Sequence, residues 1–230
     1  MAKVISNVHL NEQVGLLEVE CDRTGKPGQF YMLRAWDTFP LLPRPISIFD
    51  ITDRGIRFLY QVVGEGTLRL YQLRVGDNLT LEGPFGNGFP ELNGKIALVG
   101  GGIGIAPFYY AAKSYENADV YLGFSDKPYL VDEFRQVSPS VTVDVGGTIL
   151  DYVRFEDYDH VIACGPQGML KAIQAKQAAE QTGTNIYVSL ENKMACGVGA
   201  CLACSIKHKS GRKKSCTDGP VFRAEEVSFI

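Results

Sequence analysis

Four of the chain's cysteines stand at Cys196, Cys201, Cys204 and Cys216, a C-x4-C-x2-C-x11-C spacing. Thiolates in this pattern suit a plant-type [2Fe-2S] cluster, with Gly197 and Gly199 letting the main chain wrap the sulfides. The same thiols could instead close around one zinc ion, since tetrahedral sulfur ligation serves both. Zinc knuckles usually pair close C-x2-C units, whereas four residues separate the first two thiols here, which favours the cluster.

Other candidates lie upstream. Arg44-Pro45-Ile46-Ser47 reads as extended chain, where alternation sends Arg44 and Ile46 to one side and Pro45 and Ser47 to the other. A cation and a hydroxyl so separated suit a long ligand with an anionic middle and a polar ring edge. Alone, the two residues read as solvated surface. Gly64-Glu65-Gly66-Thr67 follows the strand-like run Phe58-Leu59-Tyr60-Gln61 and precedes a short amphipathic helix expected over 68–73. Thr67 is the expected N-cap, and the free amides of such a helix start favour phosphate. Gly100-Gly101-Gly102-Ile103-Gly104-Ile105-Ala106-Pro107 invites a Rossmann reading, but the register fails. The sixth position from Gly100 is Ile105, and from Gly102 it is Pro107.

The elements that must position these groups divide the chain. Up to about residue 90, β-rich runs at 14–21, 29–33, 45–50, 56–63 and 78–81 alternate with turn chemistry, which predicts an antiparallel barrel or sandwich. From Gly94 the period changes: strands at 95–99, 119–124, 141–145 and 160–163 alternate with helical stretches at 108–115 and 169–181. That pattern predicts a parallel sheet with helices on both faces. Ligands in such sheets bind beyond the carboxyl ends of the strands, so Gly101, Gly102 and Cys164 converge on one crevice. Without further context Cys164 reads as a buried structural thiol. A last strand at 185–190 leads to the cysteines, and the basic run 207–214 reads as an exposed hairpin tip between the third and fourth. The expected domains are a barrel over 1–92, an α/β domain over 93–190 and a cluster module over 191–230.

With 230 residues, 45% of them hydrophobic, two ordinary domains can each bury a core. The net charge of −3 gives no footprint for nucleic acid. No apolar run approaches the roughly 18 residues of a membrane span, and residues 1–6 lack the apolar core of a signal peptide. A cytoplasmic protein is expected, its six thiols serving metal or redox chemistry rather than disulfides. His9, His160 and His208 are scattered outside the motifs, leaving no general acid or base on a carbon substrate.

Three of these motifs together resemble the ferredoxin-NADP reductase superfamily: R-P-x-S at Arg44 to Ser47, G-x-G-T at Gly64 to Thr67, and G-G-x-G-[IV]-x-P at Gly101 to Pro107. Cys164-Gly165-Pro166 matches its C-G-P, and Gly83-Pro84-Phe85-Gly86 fits as well. The resemblance implies that Arg44 and Thr67 bind the FAD pyrophosphate, with Pro45, Ile46 and Gly66 also among the residues that hold the cofactor. It puts Ser47 near the flavin N5 edge and Leu59, Tyr60 and Gln61 beside the ring. It further implies that Gly101, Gly102 and Gly104 meet the nicotinamide dinucleotide, with Cys164, Gly165 and Pro166 at the nicotinamide. Asp126 could accept from the ribose of NAD, whereas Lys127 could meet the extra phosphate of NADP; the lack of an arginine pair favours NAD.

The short terminal cluster module and the run Ser189-Leu190-Glu191-x-x-Met194-x-Cys196 narrow the resemblance to electron-transfer subunits of dihydroorotate dehydrogenase B. That implies an FMN-containing catalytic partner, a heterotetramer of two of each, and electrons passing from FMN through cluster and FAD to NAD+. Nicotinamide exchanges electrons as hydride, a cluster takes them singly, and a flavin does both. Two alternatives stand beside it. Subunits moving electrons between NADP(H) and ferredoxin tend to carry an acid where this chain has Cys196. A zinc-stabilised nucleotide-binding regulator would have no redox role and no colour.

Overall fold

The strands of the first unit alternate between two cores, and this sets the shape of the molecule. In the computed structural model, which describes residues 1–229, six strands close into an antiparallel barrel. They are β1 (Ala2–His9), β2 (Val14–Glu20), β3 (Phe30–Arg34), β4 (Arg44–Ile51), β5 (Ile56–Gln61) and β6 (Asn78–Phe85), in the order β1-β2-β5-β4-β3-β6. Ile56, Phe58 and Tyr60 of β5 fill the barrel, as a period of two dictates, while Leu59 between them turns to the core of the next unit. Leu17 and Val19 of β2 face inward, and Val14 and Leu16 outward in the same way.

The expected strands are all present, and β1 is an addition. Its register against β2 shifts between Val4 and Ser6, and that bulge breaks the apolar alternation by which a strand is read. Helix α1 (Glu65–Tyr71) begins before the expected 68, with Gly64 as N-cap. Thr67 is therefore the third helical residue and not the cap. Its hydroxyl reaches back, accepting from the Val63 and Gly64 amides at 2.9 and 3.3 Å.

The second unit comprises β7 (Ile96–Gly101), a 3-10 turn (Gly102–Ile105), α2 (Phe108–Ser114), β8 (Ala118–Phe124), α3 (Val131–Val137), β9 (Val141–Val145), β10 (His160–Cys164), α4 (Gln167–Glu180) and β11 (Asn185–Ser189). The hairpin β12 (Ser205–His208) and β13 (Gly211–Lys214) follows, so the expected tip at 207–214 supplies strand residues itself. The chain continues with β14 (Val221–Arg223) and β15 (Val227–Ser228). The main sheet runs β14-β11-β10-β7-β8-β9, its last five strands parallel. The expected parallel sheet is present and carries one further strand at its edge, where β14 pairs antiparallel with β11. Those residues come from beyond the fourth cysteine and return to the sheet because the loop after Cys216 reverses the chain.

One face of the sheet packs Leu98, Val120, Leu122 and Ile162 against Phe108, Ala111 and Phe134 of α2 and α3. The other packs Ala97, Val99, Val161 and Ala163 against Leu170 and Ile173 of α4 and Phe155. Strand order reverses between β7 and β10, the switch point where a crevice opens in such sheets. No helix among the described residues is long and apolar enough to cross a membrane. Ile230, the last residue of the expected cluster module, lies outside the described residues.

Candidate functional site

The four expected ligands gather where the chain leaves β11 and crosses to the barrel. Met194, Cys204 and Cys216 pack with Phe30, Met32 and Phe85 of β3 and β6. The β12–β13 register sets Ser205 opposite Lys214, and the Ser215 amide donates to the Cys204 carbonyl at 3.1 Å, which brings the last two thiols together. Cys204 Sγ donates to Cys216 Sγ at 3.3 Å, with both residues buried. The Cys201 amide donates to Cys196 Sγ at 3.4 Å, and Cys201 is exposed.

The two pairs differ electrically. Backbone amides, that of Cys201 foremost, pull Cys196 down to about 6, whereas burial and the adjacent Cys204 push Cys216 up to about 11. Among the described residues no three His, Cys, Asp or Glu side chains form a group that could hold one metal ion. Thiols standing two and two suit a pair of irons, each with two cysteine ligands, better than a single zinc that draws all four to one centre.

Beside the cysteines a cavity of about 610 Å³ opens between the barrel rim and the sheet. Arg44, Pro45, Ile46 and Ser47 of β4, Leu59, Tyr60 and Gln61 of β5, and Thr67 line it. Strand alternation does not divide β4 here, since all four of its residues at the rim reach the cavity. Tyr60 is 1% exposed and its hydroxyl donates to Asn7 Oδ1 at 3.0 Å, so it gives the cavity main chain rather than ring. The Arg44 guanidinium lies against Gly66, where a Cβ would stand 2.5 Å from Nε. Only glycine permits that approach. Arg44 donates to the Leu42 carbonyl at 2.5 Å and lies 5.4 Å from the Trp36 ring centroid, and partial burial lowers it from its ordinary value. Among the described residues no carboxylate pairs with it. An arginine held at a cavity rim without a carboxylate fits the phosphates of a dinucleotide flavin.

Residues outside the expected set complete the cavity. Leu42, Pro43 and Val63 form one lip, Ile103 and Ala106 come from the glycine turn, and Ser189 to Met194 form the far wall. The far wall had a usable signal, because it follows the carboxyl end of β11, the same rule that finds Gly101 and Cys164.

The glycine turn closes on the end of β10. Cys164 pairs in register with Gly100, and a Cβ on Gly104 would meet the Cys164 carbonyl oxygen at 2.4 Å. Gly165 abuts the Gly101 main chain, and Pro166 stands beside them as N-cap of α4. Gly101, Gly102, Gly104, Cys164, Gly165 and Pro166 are thus brought to one place. Cys164 is 1% exposed, and its Sγ donates to Glu191 Oε1 at 3.7 Å. Burial pushes the Cys164 thiol up and the Glu191 carboxyl up with it. Glu191 is exposed along the cavity it lines, while its carboxyl turns inward to the thiol. A protonated, buried thiol is a poor nucleophile and a poor metal ligand.

Residues 191–228 match the family model described as the iron-sulfur cluster binding domain of dihydroorotate dehydrogenase B. The chain is 42% identical to the electron transfer subunit of dihydroorotate dehydrogenase B (NAD(+)) of Clostridium acetobutylicum, covering 98% of this chain and 95% of that one. It is 40% identical to the subunit of the same name from Clostridium perfringens, covering 99% and 97%. The chain belongs to the electron-transfer subunits of dihydroorotate dehydrogenase B. Membership makes it an iron-sulfur flavoprotein oxidoreductase subunit with FAD, a [2Fe-2S] cluster and NAD as cofactors and a catalytic subunit as partner. Among solved structures, a chain of an NADH-dependent reduced ferredoxin-NADP oxidoreductase superposes with a TM-score of 0.89 at 32% identity, covering 99% of this chain and 90% of that one. The ferredoxin reductase of carbazole 1,9a-dioxygenase shares the fold, with a TM-score of 0.65 at 20% identity over 79% of this chain and 65% of that one.

Proposed function

We propose that this subunit takes electrons from the FMN of its catalytic partner and passes them through the [2Fe-2S] cluster and FAD to NAD+, completing the oxidation of dihydroorotate to orotate in pyrimidine synthesis. The observation that carries the reading is the shared cavity. One space is bounded by the barrel rim, the glycine turn and the segment 189–194, which ends two residues before Cys196. When bound, FAD exchanges hydride with nicotinamide and single electrons with a cluster.

The chain's own residues then divide the work. Cys196, Cys201, Cys204 and Cys216 hold the cluster. Arg44 neutralises the flavin pyrophosphate at the start of α1, with Gly66 leaving room for it. Thr67 acts through the main chain, since its hydroxyl is committed to Val63 and Gly64. Pro45, Ile46, Ser47, Leu59, Tyr60 and Gln61 flank the ring. Gly101, Gly102 and Gly104 receive the dinucleotide, and Cys164, Gly165 and Pro166 stop the nicotinamide against the flavin. Functional units over 1–92, 93–190 and 191–230, a heterotetramer of two chains of each kind, and a cytoplasmic setting that keeps the thiols reduced complete the proposal.

The test is co-expression with the catalytic subunit, followed by a dihydroorotate:NAD+ assay of the purified complex. Orotate and NADH forming in equal amounts is the expected result. A coloured complex that reduces ferredoxin with NADPH but leaves dihydroorotate untouched would turn the reading to its runner-up, a subunit of an NADP(H)-ferredoxin oxidoreductase. The structural likeness to such an enzyme at 32% identity favours that alternative, and the thiol at Cys196 in place of an acid speaks against it.

A further inference from the structure

Helix α2 runs on from the glycine turn, and residues along it meet the barrel. Phe108 stacks on Phe89 with ring centroids 5.8 Å apart, and Tyr109 stacks on Phe49 at 4.7 Å. One turn further, Lys113 donates to Asp50 Oδ1 of β4 at 2.6 Å, across the boundary between barrel and sheet. Asp50 is 4% exposed, and its other oxygen lies 3.8 Å from Arg57 Nη1.

The two cations serve Asp50 on different terms. Arg57 is its register partner on β5, so that pair belongs to the barrel whatever α2 does. Lys113 alone ties the carboxylate to the second unit among the described residues. Without Lys113 the buried carboxylate would keep only the longer 3.8 Å contact to Arg57, which favours holding α2 at this end. Seven residues at a 1.5 Å rise make a rod of about 10 Å. Aromatic stacking at its near end and an ion pair at its far end fix the direction of that rod as well as its place. The turn that opens the rod supplies Ile103 and Ala106 to the cavity and is joined to the helix by Ala106 and Pro107 alone.

We propose that Lys113 and Asp50 are positioning residues, whose ion pair sets the angle of α2 and with it the approach of a dinucleotide at the glycine turn to a flavin at the barrel rim. This rests on the cofactor assignment above. In the transfer, one hydride leaves NADH, which becomes NAD+, and both its electrons end on the flavin. Reacting atoms must stand about 3–3.5 Å apart, and a misplacement of about 1 Å can cost about 10²-fold in rate. Neither Lys113 nor Asp50 touches the reacting atoms; each acts through the helix.

The experiment mixes the full chain, loaded with FAD and cluster, anaerobically with NADH and follows bleaching of the flavin. For Lys113→Met the saturating rate falls about tenfold or more, while flavin content, the cluster signal and the half-saturating NADH concentration stay at wild-type values. Lys113→Arg recovers the rate, and the isosteric Asp50→Asn shows the same loss as Lys113→Met. An unchanged saturating rate with flavin fully retained overturns the proposal. So does loss of flavin in step with rate in both Lys113→Met and Asp50→Asn, because the pair would then be structural only. Wild-type protein that NADH does not bleach sinks the cofactor assignment itself, a distinct outcome read before any variant.

Discussion

At the scale of single residues, the site divides between groups that carry charge and groups that make room for it. Arg44 is the charge-bearing member, half-buried and without a carboxylate partner among the described residues, and with Nη1 committed to the Leu42 carbonyl its other donors are left for a ligand. Hydrogen bonds to charged groups contribute about 1.5–3 kcal/mol, so Arg44→Ala weakens FAD binding by about 10- to 150-fold. Dialysis against buffer with fluorescence of the released flavin reads this directly, and unchanged retention would remove Arg44 from the phosphate site. The thiols make a sharper case. Cys201→Ser removes one of two ligands from the Cys196–Cys201 pair while leaving the barrel untouched. The variant is expected to lose the EPR signal of the reduced cluster and keep its flavin absorbance. A full-strength EPR signal would show that Cys201 is not a ligand.

At the scale of elements, the strands and their turns were legible in the sequence to the extent that apolar periodicity was unbroken. Both units, the barrel strands after the first, the five parallel strands and the hairpin between the third and fourth cysteines follow from pattern. Strand β1 was hidden by its bulge at Val4 to Ser6, and the three-residue advance of α1 turned Thr67 from a cap into a third helical residue. The clustering of Arg44, Ser47 and Thr67 at one rim was expected from motif likeness, but Ser189 to Met194 emerge as wall only through folding. They line the cavity because β11 ends beside β10; the strand end itself was legible, and what needed the fold was the pairing that brings it to this cavity. The glycine turn shows the same logic in reverse, as Gly104 is required by the carbonyl of a residue 60 positions on. Gly104→Ala forces its Cβ to within 2.4 Å of the Cys164 oxygen, both atoms being tied to main chain with no flexible end to yield. The turn must lift from β10. NADH binding is then expected to weaken while FAD and cluster stay bound, as checked by titrating each variant with NADH; wild-type affinity would show that the turn can relax in place.

At the scale of the whole molecule, barrel and sheet are two units by topology and one by packing. Val14, Leu16, Phe49, Leu59 and Phe89 come from the first unit, yet they sit in the core that α2, α3 and the sheet build. Phe49 is the centre of this sharing: fully buried, stacked on Tyr109, edge-on to Phe134 at 6.3 Å, with the Arg57 guanidinium 5.2 Å from its centroid. A flavin gripped by one unit and a dinucleotide gripped by the other need this common core, since separately folded units move relative to each other by default. Its contribution differs from that of Lys113, which sets an angle, because Phe49 supplies the cohesion without which there is no angle to set. The full chain is therefore expected to unfold in a single calorimetric transition. Phe49→Ala removes a buried ring where the surrounding side chains can collapse only partly, costing about 3–5 kcal/mol. Because that loss falls on the boundary, the variant's transition should move down and broaden into two, with the sheet melting apart from the barrel. A single transition merely shifted to lower temperature would show that the remaining boundary residues suffice to couple the units, and that Phe49 adds stability without being the tie.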